Sequence, residues 1–219
     1  AAAGHKAPLI EIGHDLHYER LDWDAQGQDL RIWSTGAPGE ALETRLGLLG
    51  AHQAANAAAA YAALQALPLP VADTAIQAGF STVRWPGRLQ LLQGDPPVLL
   101  DAAHTPAAAR ALAAALDDHF PEQRWLALIG VSADKDLAGL LAPLQDRLGA
   151  VWATQSSHPR AMTAKDLAQR LRAVGMGAQA QPSLSDALMA GRQAARAAGV
   201  GLLVLGSVFL VEETLEALC

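Results

Sequence analysis

From residue 98 onward, short apolar runs alternate with stretches long enough for three or four helical turns, and this alternation limits the fold more than any other feature of the sequence. The apolar runs fall at 98–100, 125–131, 150–153, 178–181 (the weakest) and 201–205. Between them, 106–119, 137–148, 163–174 and 184–198 carry leucine and alanine at helical spacing, and a last helix starts at about Val208. Strands buried on both faces read as continuous apolar runs, and strands separated by helices are joined by right-handed crossovers. The expected result is an α/β unit with an open, mostly parallel sheet and flanking helices.

Sheets of this kind bind ligands beyond the carboxyl ends of their strands. Four polar groups fall there: Asp101 with His104, Asp134-Lys135-Asp136, Ser156-Ser157-His158-Pro159-Arg160, and Gly206-Ser207. In the first, a strand stops at Asp101, a turn carries His104 and Thr105, and Pro106 stands where proline opens a helix, since its missing N–H would have no partner there. A carboxylate, an imidazole and unpaired N–H groups thus meet at one sheet edge. That suits a nucleotide, because helix N-termini attract phosphate and carboxylates accept from ribose hydroxyls. Asp101 and Thr105 are equally the residue types that cap helices.

The N-terminal part reads differently. Residues 1–7 look like a loose start. Runs at 9–13, 16–18, 21–23 and 30–33, punctuated by Gly and Asp, suggest an antiparallel meander with His14, Asp15 and His17 facing solvent. Gly50 to Asn56 open an alanine-rich helix that runs to about Leu67 and is ended by Pro68 and Pro70. His52 and Asn56, four apart, share one face of it. Asparagine competes for backbone hydrogen bonds inside a helix. Asn56 is therefore either solvated or locally bonded, or it serves an adenine edge, which needs a group that both donates and accepts. A second helix covers 71–78 and ends at Gly79. Arg84-Trp85-Pro86-Gly87-Arg88 marks a boundary, with Pro-Gly suited to a type II turn, and a strand at 89–92 turns back through Gly94-Asp95-Pro96-Pro97.

Composition removes several classes of function. With 219 residues, 51% of them hydrophobic, the chain can build the core of one or two domains. A net charge of −6 argues against duplex nucleic acid or an anionic membrane as the main partner. No run reaches the roughly 18 apolar residues of a membrane helix, and no charged-then-apolar leader opens the sequence. The single cysteine, Cys219, excludes an intrachain disulfide and fits a reducing cytoplasm. Cysteine-based zinc sites are excluded too, and the seven histidines show no HExxH spacing.

Taken in order, Gly50-Ala51-His52-Gln53-Ala54-Ala55-Asn56, Pro86-Gly87-Arg88-Leu89, Leu100-Asp101-Ala102-Ala103-His104-Thr105-Pro106, Asp134-Lys135-Asp136 and Gly206-Ser207-Val208-Phe209 resemble the C-terminal part of the folylpolyglutamate synthase/dihydrofolate synthase family of Mur-type ligases. The resemblance covers nearly the whole chain. It implies the end of a central ATPase domain at 1–83, with its β-meander and helices, joined to a Rossmann-like C-terminal glutamate ligase domain at 84–219. It implies that ATP phosphorylates a carboxylate of dihydropteroate or folate and that the amine of L-glutamate attacks the acyl phosphate. By the same resemblance Asn56 reads adenine, Arg88 binds phosphate, Asp101 holds the ribose and His104 lies near the phosphates. A transferred phosphoryl group needs cationic clamps. Arg88 and Lys135 are the candidates here, and with His104 they form the expected catalytic set; Lys135 has an ion pair with Asp134 or Asp136 as its other reading.

Two positions depart from the family's D-G-A-H-N-P: Ala102 replaces a glycine and Thr105 an asparagine. If Ala102 needs a positive φ, strain of about 1 kcal/mol or more follows. Thr105 keeps a capping oxygen and loses an amide. The larger departure is that nothing matches G-x-x-x-x-G-K-[ST]; the lysines are Lys6, Lys135 and Lys165, none followed by Ser or Thr. The phosphate loop, the magnesium ligands and the family's modified lysine are accordingly expected upstream of residue 1, with no metal ligand assigned here and no activity expected from this chain alone. The expected partners are ATP, L-glutamate and dihydropteroate or folate, bound by a cytoplasmic monomer. Two rivals remain, a non-catalytic nucleotide-binding module and a peptidoglycan-precursor ligase; His52-Gln53 and Pro86-Gly87-Arg88-Leu89-Gln90 favour the folate branch over the latter.

Overall fold

The computed structural model describes residues 9–218, and the chain divides into two compact units between Arg84 and Trp85. The expected loose start at 1–7 and Cys219 lie outside the described residues.

The first unit packs two helices on a three-stranded antiparallel sheet, β1 (Leu16–Asp24), β2 (Gly27–Ser34) and β3 (Leu42–Leu46), in the order β1-β2-β3. Helices α1 (Ala51–Gln65) and α2 (Asp73–Thr82) follow. Leu30 and Ile32 alternate inward from β2 and meet Leu42, Leu46, Ala54, Ala58 and Tyr61 in one core. The side chain of Gln28 is also inside and wholly buried. Its amide donates to the carbonyls of Leu48 (2.7 Å) and Gly50 (2.9 Å), and its oxygen accepts from Arg20 Nε (2.7 Å). One side chain thereby fixes the connection from β3 into α1.

The meander departs from its expected outline in three places. The runs at 16–18 and 21–23 are one strand, with a bulge at Leu21 where the register slips between Arg20 and Asp22. The run at 9–13 is a turn with a single bridge from Ile12 to Leu16, closed by the Asp15 carboxylate accepting the Glu11 N–H at 2.8 Å. The third strand is β3, where Leu42, Thr44 and Leu46 face in while Glu43 and Arg45 face out. Helix α2 also lies further along than 71–78: Gly79 is inside it, and Ser81 and Thr82 hydroxyls donate back to the Ala78 carbonyl.

The second unit contains the six strands β4 (Gln90–Leu92), β5 (Val98–Asp101), β6 (Trp125–Ile129), β7 (Leu148–Ala153), β8 (Ala178–Ala180) and β9 (Gly201–Leu205), in the order β4-β5-β9-β6-β7-β8. Only β4 is antiparallel to its neighbour. Helices α3 (Pro106–His119), α4 (Leu137–Leu141) and α5 (Ala164–Ala173) belong to crossovers that all step one way along the sheet, so right-handed connection puts them on one face. Helix α6 (Leu184–Ala198) makes the return step to β9 and lies on the other face with α7 (Val208–Leu218). There Val98, Leu100, Leu202, Val204 and Leu128 pack against Ala187, Leu188, Ala195, Leu210 and Val211. The helix expected at 137–148 breaks after Leu141 into a 3-10 helix, Ala142–Arg147, because Pro143 has no N–H for the Gly139 carbonyl.

Candidate functional site

At the carboxyl edge of the larger sheet, β5 and β6 pass the chain to one face while β9 passes it to α7 on the other. Diverging connections leave a crevice beside β9. His104 from the turn after β5, Ser132 and Lys135 from the loop after β6, Arg160 from the loop after β7, and Gly206, Ser207, Val208 and Phe209 after β9 line a cleft of about 120 Å³ there. Gly206 makes the corner. Its φ is +107°, and a Cβ would stand 2.7 Å from the Gly130 carbonyl oxygen and 2.8 Å from Val131 Cγ1, so no other residue lets β9 turn into α7 this tightly.

The cleft is cationic on one side. Lys135 Nζ lies 3.6 Å from Asp134 Oδ2, while Asp136 caps α4 by accepting from the Gly139 N–H at 2.9 Å. Of the two acids flanking Lys135, Asp134 is thus its partner. Arg160 belongs to a loop braced on α7: the Ser157 N–H and hydroxyl both donate to Glu213 Oε1 (2.9 and 2.8 Å), and the His158 ring stacks on Phe209 at 4.1 Å. The Arg160 N–H donates to His158 Nδ1 at 3.1 Å. His104 Nδ1 lies 2.9 Å from the Ala102 carbonyl oxygen. A carbonyl can only accept, so Nδ1 carries the hydrogen and Nε2 of the neutral ring keeps a lone pair. Such a cleft can hold a small ligand bearing carboxylates and present a proton acceptor to it.

Asp101 has separated from the capping reading. Thr105 alone caps α3, its hydroxyl accepting the Ala108 N–H at 3.2 Å. Asp101 is only 8% exposed, and its two oxygens accept backbone N–H groups from Leu89 (Oδ2, 3.0 Å) and Ala103 (Oδ1, 2.8 Å). Burial pushes its carboxyl above the ordinary range, against those two donors and the charge of Arg88. The strain anticipated at Ala102 is absent: among the described residues Leu89 is the one non-glycine residue with positive φ. The Ala102 methyl is instead buried in the core.

Arg88 is half-buried beside this carboxylate and makes one long contact, Nη1 to the Gly87 carbonyl at 3.4 Å; it does not line the cleft. The structure thus groups His104 with Lys135, and Arg88 with Asp101. In the first unit, Asn56 is exposed on α1, and its Nδ2 donates to Gln53 Oε1 at 3.0 Å, which is the locally bonded arrangement. Ser132, a cleft-lining residue, escaped the sequence reading, although its place three residues past β6 could have flagged it. The strained Leu89 left no sequence signal. Among the described residues no group of three or more His, Cys, Asp or Glu side chains could hold a metal ion, and no helix is long and apolar enough to cross a membrane.

Comparison with known proteins bears on this site directly. The family model "Mur ligase, glutamate ligase domain" matches residues 87–208, which include every cleft-lining residue but Phe209. A dihydrofolate synthase/folylpolyglutamate synthase of Mycobacterium tuberculosis is 37% identical over 147 residues, covering 65% of this chain and 30% of that protein. The structure of Mycobacterium tuberculosis folylpolyglutamate synthase complexed with ADP and AMPPCP superimposes with a TM-score of 0.85 at 28% identity, over 98% of this chain and 50% of that one. Escherichia coli FolC in complex with DHPP and ADP gives a TM-score of 0.80 at 31% identity, over 99% of this chain and 49% of that one. The chain therefore spans about half the length of the solved structures it matches.

Proposed function

With a glutamate ligase domain over 87–208, the chain belongs to the Mur ligase family, and from that premise we propose that it is the C-terminal part of an ATP-dependent ligase that adds L-glutamate to dihydropteroate or folate. The observation that carries this reading is the convergence of His104, Lys135, Arg160 and Ser207 on one small cleft. L-Glutamate is small and carries two carboxylates and one ammonium group. Lys135 and Arg160 suit its carboxylates, with Arg160 able to bind one by two parallel hydrogen bonds. The free Nε2 of His104 suits the proton that the amine must lose before it attacks an acyl phosphate.

On the nucleotide side, Asn56 is assigned to the adenine edge and Arg88 to the phosphates, where a permanent cation offsets charge that grows on the transferred group. Asp101 is assigned to the ribose: each of its oxygens accepts one N–H and keeps a further lone pair. A divalent cation, when bound, would screen the phosphates; none of the residues described here is assigned to it, and no step is routed through it. Residues 1–83 are assigned to the end of the ATPase domain and 84–219 to the glutamate ligase domain, a boundary one residue from the division between the two compact units.

The test is made on the polypeptide of the complete reading frame that encodes these residues. ADP release should require both L-glutamate and dihydropteroate or a reduced folate. Release that requires a UDP-linked muramoyl peptide instead overturns the folate reading, and nucleotide binding without any release favours a non-catalytic module.

A further inference from the structure

We propose that Asp101 is a positioning residue for Arg88: its carboxylate holds the turn at 86–90 in the one backbone arrangement that fixes where the guanidinium stands. The inference rests on the assignment of Arg88 to the nucleotide phosphates.

The turn is held from both ends. Ahead of Arg88, the Gly87 carbonyl accepts the Ala102 N–H at 2.9 Å, and the Gly87 N–H donates to Gln90 Oε1 at 3.0 Å. Behind it, the Leu89 N–H donates to Asp101 Oδ2 at 3.0 Å. Arg88 is thus the single residue between two fixed ones, and its own guanidinium contact is long. Its placement is decided by the backbone.

That backbone is not one the sequence would choose unaided. Leu89 has φ +44°, a region a leucine avoids because its Cβ crowds the following carbonyl. Such a conformation persists where surroundings over-determine it. Here the surroundings are a buried leucine side chain, 3% exposed, and the bond to Asp101. The other Asp101 oxygen accepts the Ala103 N–H, so one carboxylate ties the turn to the start of the segment carrying His104. Two converging N–H donors require two acceptors. A carboxylate supplies both and, being charged, binds each more strongly than an amide carbonyl would. An asparagine of the same shape could satisfy only one.

Two measurements test this. In the 219-residue chain, Asp101→Asn should raise amide exchange at Arg88, Leu89 and Ala103, and tryptic cleavage after Arg88, at least tenfold, with the amides of β6 and β9 unchanged. Unchanged exchange at Leu89, or an equal rise throughout the sheet, overturns the proposal. In the complete ligase, Arg88→Ala and Asp101→Asn should each lower kcat at least tenfold, and the double variant should be no slower than Arg88→Ala alone, because residues that act through one another are not additive. Multiplying effects, or an Asp101→Asn enzyme with normal kcat and a raised KM for ATP, overturn it and leave the ribose contact as the role of Asp101. Local loosening in the chain together with a complete protein that makes no ADP would count against the ligase reading, and the bond between Asp101 and the turn would stand.

Discussion

Gly87 permits a prediction whose size follows from two separate features of the turn that carries Arg88. Its φ is +69°, and a Cβ built there would lie 2.6 Å from Val211 Cγ1 on α7. Gly87→Ala therefore incurs a left-handed backbone cost of about 1–2 kcal/mol and an overpacking cost of about 1–3 kcal/mol. The reduced freedom of the unfolded chain offsets roughly 0.4–1 kcal/mol. The net expectation is a loss of about 1–4.5 kcal/mol, or a fall of about 0.5–2 M in urea midpoint for an m-value near 2 kcal/mol/M. Val211→Ala removes Cγ1 and with it the clash, so in that background Gly87→Ala should cost only the backbone part, giving a coupling of about 1–3 kcal/mol. The assay is urea-dependent amide exchange of peptides from β6 and β9, which reports the second unit alone. A loss below about 0.5 kcal/mol, or the same loss in both backgrounds, refutes the account.

The two units should answer pH in opposite directions. In the first, a backbone N–H bond from Glu11 lowers the Asp15 carboxyl and one from Gln26 lowers that of Asp24, helped by His14 and Arg45 respectively; stability from these is present above their unfolded value of about 4 and is lost as pH falls through the folded ones. In the second, Asp101 is raised by burial, so stability is lost as pH rises from about 4 through its folded value and regained on acidification. Unit-specific exchange between pH 3 and 7 checks both, and an Asp101→Asn chain that keeps the slope of the second unit would sink the assignment. The 219-residue chain alone should release no ADP from ATP and L-glutamate, by coupled enzyme assay. Arg160→Ala should weaken L-glutamate binding to the complete protein by at least ten- to a hundredfold, since each of the two charge-assisted hydrogen bonds it can make is worth about 1.5–3 kcal/mol. Trypsin should cut after the exposed Arg84 before it cuts after Arg88 or within 98–205, as read by mass spectrometry of early fragments.

The second unit was legible because parallel strands buried on both faces leave unbroken runs such as Leu202-Leu203-Val204-Leu205, and because Thr105-Pro106 marks a helix start by its chemistry. The first unit was less so. Leu9, Ile10 and Ile12 have strand-like composition yet are exposed, while β3 is a true strand whose five residues include Glu43 and Arg45 on the outer face. Composition tracks burial, and these two segments have the opposite of what their composition implies. The cleft was legible by a topological argument, since residues after β5, β6, β7 and β9 had to meet at one edge. The hold of Asp101 on Leu89 was not, because it depends on a backbone dihedral and on a pairing of residues twelve apart that no periodicity reports.

The place of β9 has a consequence for how the protein is made. It comes after the other five strands of its sheet in the chain and lies between two of them: Leu203 pairs with Leu99 on one side and with Ala127 on the other, and all five of its residues are buried. Until 201–205 leave the ribosome, β5 and β6 have no common neighbour, and each presents an open, apolar edge to other nascent chains. The sheet of the second unit therefore forms late and all at once, through contacts of long sequence separation, whereas the hairpin sheet of the first unit can close while the rest is still being translated. A stop between the end of β6 and codon 201 should leave the second unit aggregating in place of folding.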